Sequence, residues 1–313
     1  MPPTPPGVYA NLADLVRLRH RARGFSLLPR QPVRSLLAGR HASRLSGRGL
    51  NFEEIRRYLP GDDVRQIDWK VTARTRVPHA RVFTEERERP VVLVVDQRPG
   101  MFFGTVRAMK SVAAVEAAAL AAWRAVAAQD RVGLVAFGDA AVRVVRPRRS
   151  PATVLQILHT LLELNHALRT DTPARPDGGT LNEAVRRAAG LVPHDGLVVL
   201  VTDGDGADAD TRRLLTEAAR HNDVLVLFVF DPVEADLPDV GRAVLSDGGR
   251  QLEVATGGGP LRAGFRDEFA RRRAEAKRFL LARETPVLPL RTDEPAADQI
   301  ARALGARPRA AGR

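Results

Sequence analysis

The sequence predicts an α/β protein built on an open, mostly parallel, doubly wound sheet, with a smaller β-containing segment ahead of it. Three observations carry this. Beyond Pro90, short branched apolar runs alternate with helical patterns, as repeated strand–crossover–strand units with helices on both faces would. Two of the runs, Val91–Val95 and Leu197–Thr202, are apolar or β-branched throughout and lead straight into an aspartate, the pattern of strands buried on both sides. The segment before Pro90 shows neither periodicity and instead sets aromatics among acids and arginines around Pro60-Gly61-Asp62-Asp63.

Residues 1–24 read as an N-terminal extension, proline-rich and then carrying Leu12, Leu15, Val16 and Leu18 at helical spacing. Residues 25–89 are the smaller segment. Residues 90–292 are the sheet domain, opening with strand Val91–Val95, an alanine-rich helix over Arg107–Ala128 and strand Val132–Phe137. The alternating run Ala141–Val145 reads as an antiparallel extension. Ser150 and Pro151 start the next helix as N-cap and first helical residue, and Val154–Leu164 supplies its apolar face. After a loose stretch over 165–179 come helix Leu181–Gly190, strand Leu197–Thr202, helix Thr211–Arg220 and strand Val224–Phe230. Segments Ala243–Leu245 and Gln251–Ala255 around Gly248-Gly249 predict an inserted hairpin. Helix Pro260–Arg283, strand Val287–Leu290 and helix Ala296–Leu304 complete the series, residues 293–313 being a C-terminal helix and basic tail.

Composition narrows the function classes. The 313 residues are 44% apolar and contain no cysteine, so no disulfide framework or thiolate metal site exists and a reducing, cytoplasmic setting is expected. No stretch approaches the ~18 apolar residues of a membrane helix, and the first residues lack the apolar core of a signal peptide. The net charge of +12 raises nucleic-acid binding. Yet the cations are nearly all arginine, with Lys70, Lys110 and Lys277 the only lysines. Their clusters at Arg17–Arg23, Arg146–Arg149, Arg271–Arg273 and Arg302–Arg313 are dispersed, without a nucleic-acid-binding motif. An acidic protein partner fits such a surface at least as well.

The run Gly47–Arg74 is too patterned for a linker. Proline and glycine set its turn, while Phe52, Tyr58 and Trp69 offer apolar area to hold it in one shape. Asp62 and Asp63 are adjacent rather than convergent, which suits structural pairing with nearby Arg65 better than acid/base chemistry. The order Gly-x-Gly, then Phe52-Glu-x-x-Arg-x-Tyr-x-Pro-Gly-Asp-Asp-x-Arg-x-Ile-Asp-Trp69, then Ala73-Arg74, Phe83-x-Glu85-Glu86-Arg87 and a strand ending in Asp96 resembles the DUF58 family. On this sequence its motif falls on Arg57, Tyr58, Pro60, Gly61, Asp62, Asp63, Arg65, Asp68, Trp69 and Arg74. The resemblance covers roughly residues 30–292. It implies a von Willebrand factor A-like (Rossmann-like) sheet domain and a MoxR-type AAA+ ATPase partner. Many such relatives carry transmembrane helices before the motif, so this chain reads as a soluble member.

In an open parallel sheet, ligands collect beyond the carboxyl ends of the strands. Asp96 and Asp203 stand at two such ends, and Thr180 lies before a helix. In A-type domains these are positions of a metal-ion-dependent adhesion site for Mg²⁺, whose first loop reads Asp-x-Ser-x-Ser. Here Arg98 and Gly100 stand where the serines belong. Two hydroxyl ligands are gone, and a guanidinium beside the aspartates offers the counter-charge a metal would supply. Asp96, Thr180 and Asp203 therefore form a degenerate metal set, with Mg²⁺ the candidate ion. Each also has a structural role on offer: Thr180-Leu-Asn-Glu183 fits a capping box, and Asp203-Gly204 ordinary turn chemistry.

The acidic run Asp203–Asp210 fails as a calcium loop, with Ala207 at the fifth position and Leu214 where a bidentate glutamate is required. No phosphate-binding Gly-x-x-x-x-Gly-Lys, nucleophile elbow or paired metal-binding histidines occur. The expectation is a non-enzymatic interaction or adaptor module acting with the ATPase and protein clients, with no small-molecule substrate identified. Its partner-facing surface is placed around Asp96, Arg98, Met101, Phe102, Thr180 and Asp203, with core packing an equal reading for Met101-Phe102-Phe103. The alternatives are a metal-dependent hydrolase using Asp96 and Asp203, and a basic nucleic-acid binder.

Overall fold

The computed structural model describes residues 6–22, 25, 27, 50–59, 62, 64–85, 89–139, 141–171, 178–246, 251–280 and 286–304. Pro60, Gly61, Asp63, the Gly248-Gly249 turn and the basic tail lie outside them. The chain divides into two compact units, Gln31–Glu88 and the remainder. Helix α1 (Leu12–Arg17) belongs to the larger one.

The smaller unit pairs β1 (Leu50–Arg57) antiparallel with β2 (His79–Glu85), with a register shift between Phe52 and Glu54. Between the strands lie a 3₁₀ turn, Val64–Gln66, and helix α2 (Trp69–Thr75). Asp68 caps α2 by accepting from the amides of Lys70 and Val71, each at 3.0 Å, and Arg76 ends it in the left-handed region.

The larger unit is a six-stranded sheet. Its strands are β3 (Pro90–Asp96), β4 (Arg131–Phe137), β5 (Val142–Arg148), β6 (Leu197–Thr202), β7 (Asp223–Phe230) and β10 (Val287–Arg291). The order is β10-β7-β6-β3-β4-β5, parallel except for β5, which runs antiparallel to β4 as its alternating sequence predicts. Between β7 and β10 the chain inserts the antiparallel hairpin of β8 (Arg242–Ser246) and β9 (Gln251–Ala255).

The helices follow the alternation: α3 (Lys110–Ala127), α4 (Pro151–Ala167), α5 (Gly178–Leu191), α6 (Ala209–Ala218), the short α7 (Pro232–Ala235), α8 (Gly259–Leu280) and α9 (Ala296–Leu304). Strand β3 shows why its sequence is apolar throughout. Val91, Leu93 and Val95 pack on the face covered by α1, α3, α4 and α9, while Val92 and Val94 pack beneath α5 and α6. Each such buried side chain is worth roughly 2 kcal/mol of transfer free energy, so both faces demand cover.

Two helix starts differ by three residues from the sequence expectation. Helix α3 begins at Lys110, not Arg107, because the chain before it is pinned outside helical geometry. Thr105 bonds Asp231 through its amide and hydroxyl, and the Met109 amide donates to the Gly7 carbonyl at 2.9 Å. Helix α5 begins at Gly178, so Thr180 lies in its first turn. Glu183 is engaged by Arg186 and Arg187, at 2.7 and 2.8 Å.

The N-terminal extension and the last helix are integral to this unit. Leu15 is buried in the core, the Trp123 indole donates to its carbonyl at 3.1 Å, and Arg21 pairs with Asp298 of α9.

Candidate functional site

The strand order reverses between β3 and β6, so the carboxyl ends of these neighbours flank the crevice where open α/β sheets take ligands. Asp96 closes β3 and Asp203 follows β6. Both carboxylates are satisfied from within the protein.

Asp96 is fully buried. Its Oδ1 accepts from the Arg98 amide and Nε, both at 3.0 Å. Its Oδ2 accepts from Arg98 Nη2 at 2.7 Å and Thr202 Oγ1 at 2.8 Å. Arg98 is buried as well, lies over the Phe137 ring and donates from Nη2 to the Asp205 carbonyl at 2.9 Å. Burial pulls the guanidinium pKa down, but Asp96 outweighs it and raises it above the ordinary arginine value.

Asp203 has its own cation. Lys110, the first residue of α3, places Nζ 2.9 Å from both Asp203 Oδ2 and Glu234 Oε1. An ammonium at a helix start opposes the macrodipole, so α3 holds Lys110 there at an electrostatic cost that the two carboxylates offset. Burial drives the Lys110 pKa down; Asp203 and Glu234 overcome that and raise it. Burial likewise pushes the Asp203 carboxyl up, while Lys110 and then Arg98 hold it below the usual range.

Glu234 is positioned by a second buried acid. Asp231 caps α7 and accepts from Thr105 Oγ1 at 2.7 Å, the Thr105 amide at 3.0 Å and Thr292 Oγ1 at 2.5 Å. The Asp231 amide in turn donates to Glu234 Oε2 at 2.8 Å.

The loop after β6 turns tightly, with Gly204 and Gly206 at φ of 76° and 71°, where a Cβ would be strained. Its Asp205 amide donates to Asp203 Oδ1 at 3.0 Å. Desolvation, followed by the charge of Asp203, raises the Asp205 carboxyl above the ordinary carboxylate range. This loop, Lys110 and Glu234 line a cavity of about 560 Å³ walled by Phe228 and Phe230 of β7 and by Phe265 and Phe269 of α8.

The donor set does not fit Mg²⁺. Four hydrogen-bond donors already occupy the Asp96 oxygens, and Asp203 faces an ammonium, so neither offers the free hard-oxygen positions an octahedral ion needs. Among the described residues no group of three or more His, Asp or Glu could hold a metal. Thr180 is the remaining member of the expected set: its hydroxyl is buried and has no hydrogen-bond partner in the structure.

The profile of the DUF58 family, a "protein of unknown function", matches residues 54–275. The chain belongs to the DUF58 family. Relatives include the uncharacterized proteins Rv1480 of Mycobacterium tuberculosis (strain ATCC 25618 / H37Rv) and Mb1516 of Mycobacterium bovis. Each is 36% identical over 314 residues, covering 98% of this chain and 95% of the relative. Two solved structures are loosely similar, each at 16% identity. One is the conserved hypothetical protein BatB from Bacteroides thetaiotaomicron, with a TM-score of 0.40 over 69% of this chain and 95% of that one. The other is an aerotolerance-related membrane protein from Bacteroides fragilis, with a TM-score of 0.39 over 68% and 96%. In the DUF58 chain itself, no helix among the described residues is long and apolar enough to cross a membrane.

Of the residues expected to face a partner, Asp96, Arg98 and Met101 are buried, so none of the three offers a contact surface in this conformation. Met101 is core, as its packing reading required, because the 3₁₀ turn Pro99–Met101 folds it beneath the sheet end. Phe102 stacks on Tyr9, with ring centroids 5.4 Å apart. Phe103 and Val106, next along the same loop, are exposed.

In the DUF58 motif, Asp62 is gripped by both terminal nitrogens of Arg56, each at 2.8 Å, and accepts from the Leu59 amide. Asp68 pairs with Arg81 as well as capping α2. Tyr58 donates to the Asp62 carbonyl at 3.2 Å. Trp69 is 69% exposed, against the expectation that the motif's aromatics hold the segment together: as the first residue of α2 it projects from the helix's outer side.

Sequence reasoning missed Lys110 and Glu234. A signal for Lys110 was present, a single lysine opening an otherwise alanine-rich buried helix. Glu234 carried none, since nothing in its neighbourhood links it to residues over a hundred positions earlier.

Proposed function

We propose that this DUF58 chain is a protein-binding module without catalytic chemistry of its own, and that it works with a MoxR-type AAA+ ATPase in maturing or assembling other proteins. The observation that carries the reading is the internal neutralisation of the strand-end carboxylates, Asp96 by Arg98 and Asp203 by Lys110. Such a pair of carboxylates would ordinarily bind a cation and polarise a ligand through it. With both charges answered by side chains, the site keeps the shape of an ion cradle, a degenerate adhesion site, while its chemistry is that of a fixed scaffold.

Contacts then fall to exposed residues of the loops that follow β3 and β6, Phe103, Val106 and Asp205, rather than to the buried aspartates. A hydrolase is disfavoured because its metal ligands would be these same engaged carboxylates. The ATPase as partner rests on the family resemblance alone.

The test is association of the purified chain with its host's MoxR-type ATPase, measured with ATP and with a hydrolysis-blocked ATPase variant, in Mg²⁺-free and chelator-treated arms for the chain itself. Binding that is nucleotide-dependent on the ATPase side and unaffected by prior chelation of this chain is expected. Absence of association in every nucleotide state sinks the partnership, and activity against phosphoester or peptide substrates abolished by Asp203→Ala sinks the non-enzymatic reading.

A further inference from the structure

The DUF58 motif mixes acids and arginines in its sequence, and among its described side chains the acids turn inward. Asp62 and Asp68 are consumed internally, by Arg56 and the Leu59 amide in one case and by the α2 cap and Arg81 in the other. Arg57, Lys70, Arg74 and Arg76 are exposed and make no ion pair among the described residues.

Three of these residues meet on or beside one helix. Val71 and Thr72 form the half-buried side of α2, while Trp69, Lys70, Ala73 and Arg74 are exposed. Lys70 and Arg74 are one turn apart, as are Trp69 and Ala73, so the cations and the indole share a continuous outer face, and Arg76 follows at its end. Leu59 and Val64, earlier in the same motif, are 58% and 60% exposed.

Taken alone, this face violates local rules. Two like charges stand at i and i+4, Lys70 sits near the positive end of the helix, and α2 contains no acid to relieve them. An exposed tryptophan adds apolar surface that water disfavours. A partner bearing carboxylates beside apolar side chains would relieve all of these at once. The exposed aliphatics favour a protein over a nucleic-acid strand, whose sugar-phosphate backbone gives Leu59 and Val64 nothing to pack against.

We infer that the outer face of α2, Trp69 with Lys70, Arg74 and Arg76, is a docking surface for an acidic, amphipathic segment of a partner protein. The inference rests on the protein-binding reading but not on the strand-end site or on the identity of the ATPase.

The chain carries its own reporter. Trp69 is exposed, and the other tryptophan, Trp123, is buried in the core. The full-length chain is titrated with a labelled peptide alternating Glu and Leu, with polyglutamate, and with an oligothymidylate, following Trp69 emission, acrylamide quenching and peptide anisotropy. The Glu-Leu peptide is expected to shift Trp69 emission to the blue, protect it from acrylamide and bind more tightly than either other probe. Lys70→Glu/Arg74→Glu is expected to weaken that peptide about tenfold or more, and the milder Lys70→Gln/Arg74→Gln to weaken it less but measurably, with unchanged circular dichroism.

Undiminished binding to the folded glutamine variant overturns the surface while leaving the module reading intact. Failure of the native chain to bind the Glu-Leu peptide, or tighter binding of the oligothymidylate, overturns the inference as well. Persistence of the peptide complex in an Asp203→Asn chain separates it from the strand-end site.

Discussion

Lys110→Met is the sharpest test of the internal-cation account. Methionine keeps an unbranched side chain one heavy atom shorter while deleting the charge, so the core around α3 stays largely filled and the change is chiefly electrostatic. Lys110 makes two charge-assisted hydrogen bonds, to Asp203 and Glu234, each at 2.9 Å. Hydrogen bonds to charged groups contribute about 1.5–3 kcal/mol each, and breaking a buried pair by removing one partner costs about 3–5 kcal/mol.

The two acids differ in what they can recover. The Glu234 side chain is 29% exposed and can rehydrate, whereas Asp203, at 11%, stays desolvated and loses its nearest cation. The loss should therefore fall near the low end, about 3 kcal/mol at pH 7. In thermal unfolding that is a decrease in Tm of about 6–12 °C for a unit of this size.

Acidification supplies the sign check. In the native chain Asp203 titrates below its unfolded value of about 3.9, so its contribution is present above that pH and lost as pH falls through the folded pKa. In the variant the largest downward influence on Asp203 is gone and mainly Arg98 is left to oppose burial, so the carboxyl titrates higher than in the native chain and acidification favours the variant's folded state relative to the native one. The stability gap should narrow as pH falls from 7 toward about 4. A gap under about 1 kcal/mol, or one that widens on acidification, would refute the account.

Three further outcomes follow from the same geometry. Replacing both internal cations, Arg98→Ser with Lys110→Ser, exposes Asp96 and Asp203 to solvent ions; Mg²⁺ at ~100 times its Kd should then stabilise that variant by about 2.7 kcal/mol and leave the native Tm unchanged, read by calorimetry. Asp231→Ala strands the Thr105 and Thr292 hydroxyls and frees α7, so it should cost at least about 3 kcal/mol in urea unfolding, while the neighbouring exposed Asp236→Ala should change stability by under about 0.5 kcal/mol. Gly204→Ala forces a Cβ into the left-handed region and should cost about 1–2 kcal/mol, measured the same way.

The sheet was legible in the chain because the physics of a doubly buried strand is local. Val91–Val95 and Leu197–Thr202 are apolar or β-branched at every position, and a strand of that kind needs helices on both faces whatever surrounds it. The Ser150-Pro151 start of α4 was likewise readable, and Ser150 does accept from the Ala152 amide, at 3.1 Å. Helix starts controlled from afar were not. The delay of α3 to Lys110 depends on Asp231 and Gly7, both remote in sequence from the turn they pin.

The same division runs through the site. By itself the sequence determined that aspartates stand at two strand ends and that an arginine lies two residues beyond the first of them, since a strand end follows from local pattern and a residue two positions from a buried acid is held near it by the chain. Only the tertiary structure decided how the charges are balanced. Lys110 reaches Asp203 across 93 residues and Glu234 across 124, and Asp68 turns inward to Arg81 while Lys70 and Arg74 turn out. Charge pairing depends on which side chains converge in space, and that is set by packing rather than by order along the chain.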